Sequence, residues 1–233
     1  MVNSKYLLLI FTVLLIVVVQ VKADTEAGII PYTMETSDKR FVFVMLNGGS
    51  PGNYYTDHSA KYSRSGLYLN GNSSQPIWAV DWAAYVFLPS DGVHVVRKGK
   101  WAQIGNYDEE AITFFAQGKP IKTYRVRDLV DFPWLLPRTT SHYEWQKQIS
   151  TLPVTLKTLD GAEVPFQPGI IFDEIAHTMT LETLQGDKFI FDVETGKIIS
   201  SRRPVRLALT AIISTITLLL IGVVFYFARR KKE

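Results

Sequence analysis

The stretch TMTLETLQGDKFIFDVETGKIIS, residues Thr178–Ser200, decides the fold class of this chain. It contains three short runs of β-branched and aromatic residues, separated by turn signals at Gln185–Gly186 and Glu194–Gly196. Short runs of this kind, bounded by glycine-containing turns, are typical of antiparallel strands that follow one another along the chain. The stretch therefore predicts a β-meander near the C-terminal end of a larger sheet structure.

The same alternation of short apolar runs and turns extends back through the middle of the chain. Asn70–Gly71 and Ser90–Gly92 are strong hairpin signals, because Asn-Gly and Asp-Gly readily adopt the left-handed backbone of tight turns. The other predicted strands are Arg40–Asn47, Gly66–Asn70, Ile77–Val80, Tyr85–Leu88, Val93–Val96, Ile112–Ala116, Ile121–Val126 and Leu152–Leu159. This pattern predicts a mainly β fold, a single antiparallel sandwich or barrel-like domain, with a small propeller as the alternative.

Three segments interrupt the predicted strands. Val126–Val130 is predicted to form a short helical turn, and Asp131–Arg138 should be irregular because Pro133 and Pro137 break regular structure. Ser141–Ser150 is the best candidate for a helix within the domain. No long amphipathic helix competes with the β interpretation.

The N-terminus has the anatomy of a secretory signal peptide. Lys5 supplies a positive charge, an apolar run of about 14 residues follows, and Val21 and Ala23 are compact residues at a cleavage site before Asp24. Such a run is shorter than the roughly 20 helical residues needed to cross a bilayer. Residues 1–23 are therefore predicted to be a removed signal peptide, with an uncleaved signal anchor as the alternative.

A second apolar run lies at the C-terminus, Leu207–Phe227, and contains no charged residue. It is long enough to span a bilayer, and the basic cluster Arg229–Lys232 that follows should stay in the cytoplasm. The predicted organisation is an extracytoplasmic domain (24–206), a transmembrane helix (207–228) and a basic cytoplasmic tail (229–233). The predicted location is the plasma or inner membrane, single-pass, with lipid contacting Leu207–Phe227.

Charge and cysteine content restrict the possible functions. Six of the 25 basic residues and one of the 22 acidic residues lie in the two ends, so 24–206 carries 19 basic and 21 acidic side chains. A domain without a basic excess does not suit nucleic-acid binding. The chain has no cysteine, which excludes disulfides and Cys-ligated metals.

His142, with Tyr143 and Trp145 beside it, is the first candidate site. Ser141 precedes His142, as a nucleophile might precede its base, but sequence neighbours rarely achieve that geometry and the chain has no GxSxG motif. The simpler interpretation is that His142 and Trp145 pack a loop against the sheet. We therefore predict this segment as an interaction surface.

Asp81 and Trp82 form the second candidate, because a carboxylate beside tryptophans is a common sugar-binding arrangement. Hydrolysis of a glycosidic bond would need a second carboxylate about 5–9.5 Å away, for which Asp108, Glu109 and Glu110 are candidates. The alternative is that Trp82 belongs to the core and Asp81 to a turn. None of the four histidines has metal-ligand spacing, so no catalytic, cofactor or metal residue is predicted.

A set of elements across the domain resembles an uncharacterised family of exported, β-rich bacterial envelope proteins. These elements are the tryptophan-bearing strand from Ile77, the hairpin at Ser90–Gly92, the turn FFAQG at 114–118 and the closing strand FDVETG at 191–196. The resemblance covers about Arg40–Ile199 and implies an exported β-rich fold without a known activity.

Two functions remain open at this point. The first is a membrane-anchored binding module that uses loops such as Gly48–Ser65 and Asp131–Trp145 to contact a protein or glycan partner. The second is a membrane-tethered hydrolase acting on envelope polymer or glycan, which would need ionisable residues that converge in one pocket. Convergence of His142, Asp81 and an acidic partner would favour the hydrolase.

Overall fold

The computed structural model describes residues 29–46, 61–72, 74–100, 102–139, 142–149, 154–159, 161–166 and 169–230, with backbone alone for 223–230. The predicted signal peptide and residues 48–60 of the predicted contact loop lie outside these ranges. The strands are β1 Tyr32–Glu35, β2 Phe41–Met45, β3 Gly66–Leu69, β4 Trp78–Ala79, β5 Val86–Phe87, β6 His94–Lys98, β7 Ala102–Gln103, β8 Glu110–Ala116, β9 Lys119–Arg125, β10 His142–Tyr143, β11 Val154–Thr158, β12 Glu163–Phe166, β13 Ile170–Asp173, β14 Thr178–Glu182, β15 Lys188–Asp192 and β16 Ile198–Arg202. The helices are α1 Val126–Leu129 and α2 Pro204–Arg230, with a 3-10 turn at Pro133–Leu135.

The chain is mainly β, as predicted, and its strands form antiparallel sheets. A six-stranded sheet has the order β12-β11-β1-β2-β3-β4, and a four-stranded sheet has the order β5-β6-β8-β9. The predicted meander is confirmed as strands β14, β15 and β16, in which Thr180 pairs with Ile190 and Ile190 with Ser200, and β13, which was not predicted, extends this sheet. A short pair, β7 and β10, completes the set.

Strands β5, β6 and β8 of the sheet β5-β6-β8-β9 lie between two hydrophobic cores and are buried on both faces, whereas the edge strand β9 is largely exposed. Phe114 packs with Phe191 of the meander (ring centroids 5.4 Å apart), whereas the next residue, Phe115, packs with Trp82 (5.1 Å) on the side of the six-stranded sheet. A strand covered on both faces reads as a continuous apolar run, and AITFFA in β8 is such a run. The arrangement is a sandwich of three layers.

Gly92 and Gly196 allow two turns to pack closely against the cores. Both have positive φ, and a Cβ at Gly92 would lie 2.5 Å from the Phe41 ring, while one at Gly196 would lie 2.6 Å from the Lys122 side chain. Their carbonyls also accept hydrogen bonds from the core, from Trp78 Nε1 (3.1 Å) and from the Tyr124 hydroxyl (2.8 Å). These two turns are thereby fixed to the layers beneath them.

The helix predicted at Ser141–Ser150 is wrong. The described residues 142–149 begin with β10, which pairs with β7, and then run extended, with a bridge between Gln146 and Thr183. Tertiary pairing overrides a weak helical preference here, because Tyr143 and Trp145 are buried in the core below. The short helical turn predicted at Val126–Val130 is confirmed as α1.

Helix α2 is long and apolar enough to cross a membrane. The candidate span, Pro204–Gly222, has a mean hydropathy of 2.1, and none of its window is buried within the protein. The helix begins three residues earlier than the sequence predicted, because β16 continues to Arg202 and only Arg203 separates strand from helix. An unburied helix of this composition suits a lipid environment.

Candidate functional site

His142 is buried and takes part in a local hydrogen-bonded turn. Its Nδ1 lies 2.7 Å from the Thr139 hydroxyl, and its carbonyl accepts from the Thr139 backbone N–H at 2.9 Å. The side chain borders a cavity of about 340 Å³, in which Glu144 is the one carboxylate among the described lining residues. These hydrogen bonds attach His142 to Thr139.

Tyr143 and Trp145 line the same cavity but belong mainly to the core. The Tyr143 hydroxyl donates to the Asn106 carbonyl (3.1 Å), and its ring meets Tyr107 edge-on at 5.5 Å. Burial, with smaller contributions from Tyr107 and Glu109, raises the pKa of Tyr143 to about 12. The phenol therefore stays protonated and is not a base at neutral pH.

Asp81 and Trp82 lie elsewhere, beside the other core. The Trp82 ring packs on Phe43 and Phe115, and the Arg97 guanidinium lies 5.1 Å from its centroid. Asp81 is exposed and is not among the residues that line the cavity at His142. The structure thus brings His142, Tyr143 and Trp145 together but does not place Asp81 with them.

A second cavity, of about 300 Å³, lies at the opposite end of the meander from the start of α2. It is formed where the turn after β1, the hairpin between β5 and β6, and the turn after β13 meet, and we call it the apical cleft. Its described lining residues are Ser37, Asp38, Arg40, Pro89, Ser90, Asp91, Phe172, Asp173, Glu174, His177 and Val193.

Ser90 links the three turns of the apical cleft. Its hydroxyl lies 2.7 Å from the Ser37 hydroxyl and 3.3 Å from Glu174 Oε1, and its backbone N–H donates to Glu174 Oε2 at 3.1 Å. Arg40 Nη2 donates to the Ser90 carbonyl at 2.9 Å. Among the described residues no histidine hydrogen-bonds Ser90, whose hydroxyl contacts Ser37 and Glu174.

Asp91 fixes the hairpin that carries Ser90. Its Oδ1 accepts from the backbone N–H groups of Val93 and His94, both at 2.8 Å, and its Oδ2 lies 2.6 Å from His94 Nδ1. Burial alone would raise the pKa of Asp91, but the hydrogen bonds from His94 and Val93 outweigh it and lower the pKa. The carboxylate therefore holds this turn most strongly when ionised.

Ile175 projects from the turn after β13, beside the apical cleft, and is 96% exposed. Asp173 Oδ1 accepts from the backbone N–H groups of Ile175 (3.0 Å) and Ala176 (2.9 Å), which fixes the turn that presents it. His177 closes the turn with φ +51°, and its Nδ1 lies 3.3 Å from Glu194 Oε1. The hydrogen bonds of this turn therefore hold the large apolar side chain of Ile175 in solvent.

The other end of the meander meets the start of α2 in what we call the basal junction. Arg203 Nη1 donates to Asp131 Oδ1 at 2.6 Å, its Nη2 donates to the Asp128 carbonyl at 2.8 Å, and its guanidinium lies 4.9 Å from the Phe189 ring centroid. Asp187 is buried nearby. Arg203, the residue just before α2, therefore connects the start of the helix to the segment that contains Asp128 and Asp131.

Asp187 is poorly compensated in the basal junction. Among the described residues, neither of its carboxylate oxygens has a hydrogen-bond partner, and the same holds for Oδ2 of Asp131. Burial, and then the charge of Asp131, raise the pKa of Asp187, while the Arg203 guanidinium and, less strongly, the Thr183 hydroxyl oppose them. Arg203 is the closest basic group to these two acids, and Arg206 Nη1 lies further away, 4.0 Å from Asp131 Oδ1.

Comparison with protein-family models, with curated proteins and with solved structures finds no match for the chain. The geometry on its own therefore carries the functional argument. Within the described parts of the chain, no group of three or more His, Cys, Asp or Glu side chains is arranged to hold a metal ion. The apical cleft, with Ile175 beside it, was not singled out from the sequence, although Ser90–Gly92 was recognised there as a turn.

Proposed function

We propose that this protein is a membrane-anchored binding module whose apical cleft and Ile175 contact a protein partner outside the cytoplasm. The anchor is α2, and the orientation follows the predicted signal peptide and basic tail. No observation on the described residues favours the predicted hydrolase over this function.

The exposure of Ile175 is the observation that supports the proposal most. Leaving a large aliphatic side chain fully in water forgoes about 1.5–3 kcal/mol that burial would provide, and a partner surface would recover it. Isolated exposed apolar residues are common on proteins, but this one stands beside a cavity and on a turn held by its own hydrogen bonds. A rigid apolar side chain next to a polar cleft is a suitable interface anchor.

The fixed geometry of the cleft lowers the entropic cost of binding. Ser90 connects the turns after β1 and β13, and Asp173 and Asp91 each fix a turn through two backbone N–H groups. Ordering loops on association costs free energy, so a surface that is ordered beforehand binds more tightly. The cleft therefore acts as a preformed site.

The charge of the cleft indicates the chemistry of the partner. Four of the described lining residues are carboxylates, Asp38, Asp91, Asp173 and Glu174, against one guanidinium, Arg40. The N–H of Arg40, the Thr36 hydroxyl and the Arg40 side chain lower the pKa of Asp38 to about 2, so it stays ionised. We expect a partner surface with basic side chains around an apolar pocket.

Site-specific photocrosslinking tests this function in the native membrane. A photoreactive amino acid replaces Ile175 in one full-length variant and Ile121, on β9 and 43% exposed, in a matched control. Because both positions are exposed, neither variant should disturb folding. Irradiation of intact cells should give a discrete crosslinked band from position 175 and none from position 121.

A third variant adds Glu174→Gln to the probe at 175, which weakens the contact to Ser90 and removes a negative charge. The crosslinked band should then become fainter, because both the fixed turn and the charge complementarity are reduced. Absence of any band specific to position 175, with the protein at normal abundance in the membrane, would overturn the proposed function.

A further inference from the structure

We propose that the segment Asp131–Leu136, the basal loop, inserts into the headgroup region of the same phospholipid bilayer that α2 enters. The outer domain would then contact the membrane at two places, the helix and this loop. The inference goes beyond partner binding at the apical cleft and rests only on α2 spanning a bilayer.

The basal loop is held at the level where α2 begins. Arg203 binds Asp131 and the Asp128 carbonyl, and it is the residue immediately before the helix. At a rise of about 1.5 Å per residue, Arg203 is only about 6 Å along the chain from Leu207, where the uncharged run starts. The headgroup layer on each side of the hydrocarbon is of similar thickness, about 5–8 Å. The loop bound to Arg203 therefore lies at headgroup depth.

A second set of contacts fixes the loop from the neighbouring turn. Gln185 Nε2 donates to the Phe132 carbonyl at 2.6 Å, and the Phe132 N–H donates back to Gln185 Oε1 at 3.4 Å. The turn that carries Gln185 abuts the helix, because a Cβ at Gly186 would be 3.5 Å from the Pro204 ring. The loop is thus attached to both elements that surround the start of α2.

The loop presents apolar side chains to its surroundings. Trp134 is 55% exposed and Leu135 is 65% exposed, on a 3-10 turn whose other residue, Pro133, is buried. The Trp134 ring packs edge-on against the Phe132 ring, with the centroids 5.4 Å apart, and this contact supports the Trp134 side chain. Tryptophan is enriched at the membrane–water interface, where its apolar ring and its N–H are both accommodated.

Basic side chains around the loop complement phospholipid phosphates. Arg138 donates to the Trp134 carbonyl at 2.6 Å and is exposed, as are Arg202 and Arg206 on either side of Arg203. Basic residues near a bilayer surface are attracted to anionic headgroups. Apolar residues surrounded by arginines at headgroup depth are the arrangement expected of an interfacial contact.

Nitroxide depth measurements test the proposal, and the absence of cysteine from the sequence makes single-site labelling direct. Leu135→Cys reports on the loop, Ile175→Cys on the apical end, Ile121→Cys on the domain side and Leu218→Cys on α2. All four positions are exposed, at 65%, 96%, 43% and 69%, so labelling should not impair folding. Each full-length variant is placed in nanodiscs of phosphatidylcholine and phosphatidylglycerol, and collisions with oxygen and with a nickel chelate are compared.

The label at 135 should collide with oxygen more and with nickel less than the labels at 175 and 121, giving a several-fold higher oxygen-to-nickel ratio. The label at 218 should give a higher ratio still. A label at 135 that is as accessible to nickel as the label at 175, while 218 is in the hydrocarbon, would overturn the proposal. Protection of 135 from both reagents would also overturn it, since that result indicates protein contact.

Discussion

The apical cleft and the basal junction each contain a carboxyl group that is at least partly buried, but the pKa values of the two groups are shifted in opposite directions. Asp91 at the apical end receives hydrogen bonds from two backbone N–H groups and from His94, and its pKa is lowered. Asp187 at the basal end receives none from the described residues, and its pKa is raised by burial and by Asp131. The same side chain stabilises one end and strains the other, because local donors decide whether its charge is compensated.

This difference between the two ends predicts how strongly single substitutions affect stability at each end. At the apical end, several side chains form the hydrogen bonds that hold the turns, so the loss of one side chain leaves the others in place. At the basal end, Arg203 is the close counter-charge for Asp131 and Asp187 and also contacts Phe189. Substitutions should therefore be most damaging at the basal junction.

Arg203→Ala should have the largest effect. It leaves the buried Asp187 and the partly buried Asp131 without their closest cation and removes the contact with Phe189, and breaking such a pair costs about 3 kcal/mol. Thermal unfolding of the full-length protein in detergent, followed by near-ultraviolet circular dichroism, would measure the loss. Arg202→Ala, one residue earlier and exposed, is the matched control and should change stability by less than about 0.5 kcal/mol. Equal losses from the two variants would contradict the special role of Arg203.

Asp91→Asn should destabilise the apical end by about 1–3 kcal/mol at neutral pH, because hydrogen bonds to a charged acceptor are replaced by weaker ones. The wild-type carboxylate contributes this stability above its usual pKa of 3.8, and it is lost as pH falls through the lowered folded-state value. The difference in melting temperature between wild type and variant should therefore shrink in acid. A difference that is constant from pH 7 to pH 3 would show that the charge is not responsible.

Asp187→Asn should act in the opposite direction and raise the melting temperature at neutral pH, because it removes a buried negative charge that lies close to the charge of Asp131. The folded-state pKa is raised, so the wild-type protein is relieved of this penalty as pH falls through that value towards 3.8. The advantage of the variant should vanish over the same window. Melting curves of both variants, recorded in one pH series, would display two differences of opposite sign that converge in acid.

Ile175→Ser should have the smallest effect on stability, within about 0.5 kcal/mol, because the side chain is almost fully exposed in the free protein. Its effect should be confined to partner binding. Crosslinking through a probe at another residue of the cleft rim, Ser37, should be lost in this variant while the melting temperature is unchanged. Retained crosslinking would show that Ile175 is not part of the interface.

The sequence predicted the strands that lie beside clear turn signals but missed β1, β7, β10, β12 and β13. Ser90–Gly92 and Glu194–Gly196 lie between strands as predicted, and the meander from Thr178 follows the predicted order. The number of layers was not predictable in the same way. Both faces of β8 are buried by sheets whose strands come from distant parts of the chain, and the apolar run AITFFA does not specify which.

The candidate site was less predictable, because it is assembled from separate turns. Ser90 and Glu174 are 84 residues apart in the chain and meet only through the packing of sheets. The sequence prediction favoured aromatic residues, and Tyr143, Trp145 and Trp82 proved to belong largely to the cores. Ile175 had no sequence signal, since exposure of a single isoleucine depends on tertiary structure.

The near-direct passage from β16 into α2 sets the working height of the apical cleft. Only Arg203 separates strand from helix, so if α2 crosses a bilayer, as we propose, no long linker separates the β domain from the lipid. The strands of the meander are about five residues long, which corresponds to about 17 Å. We therefore expect the proposed partner to be bound within a shallow layer close to the lipid surface, where molecules attached to the same membrane are favoured.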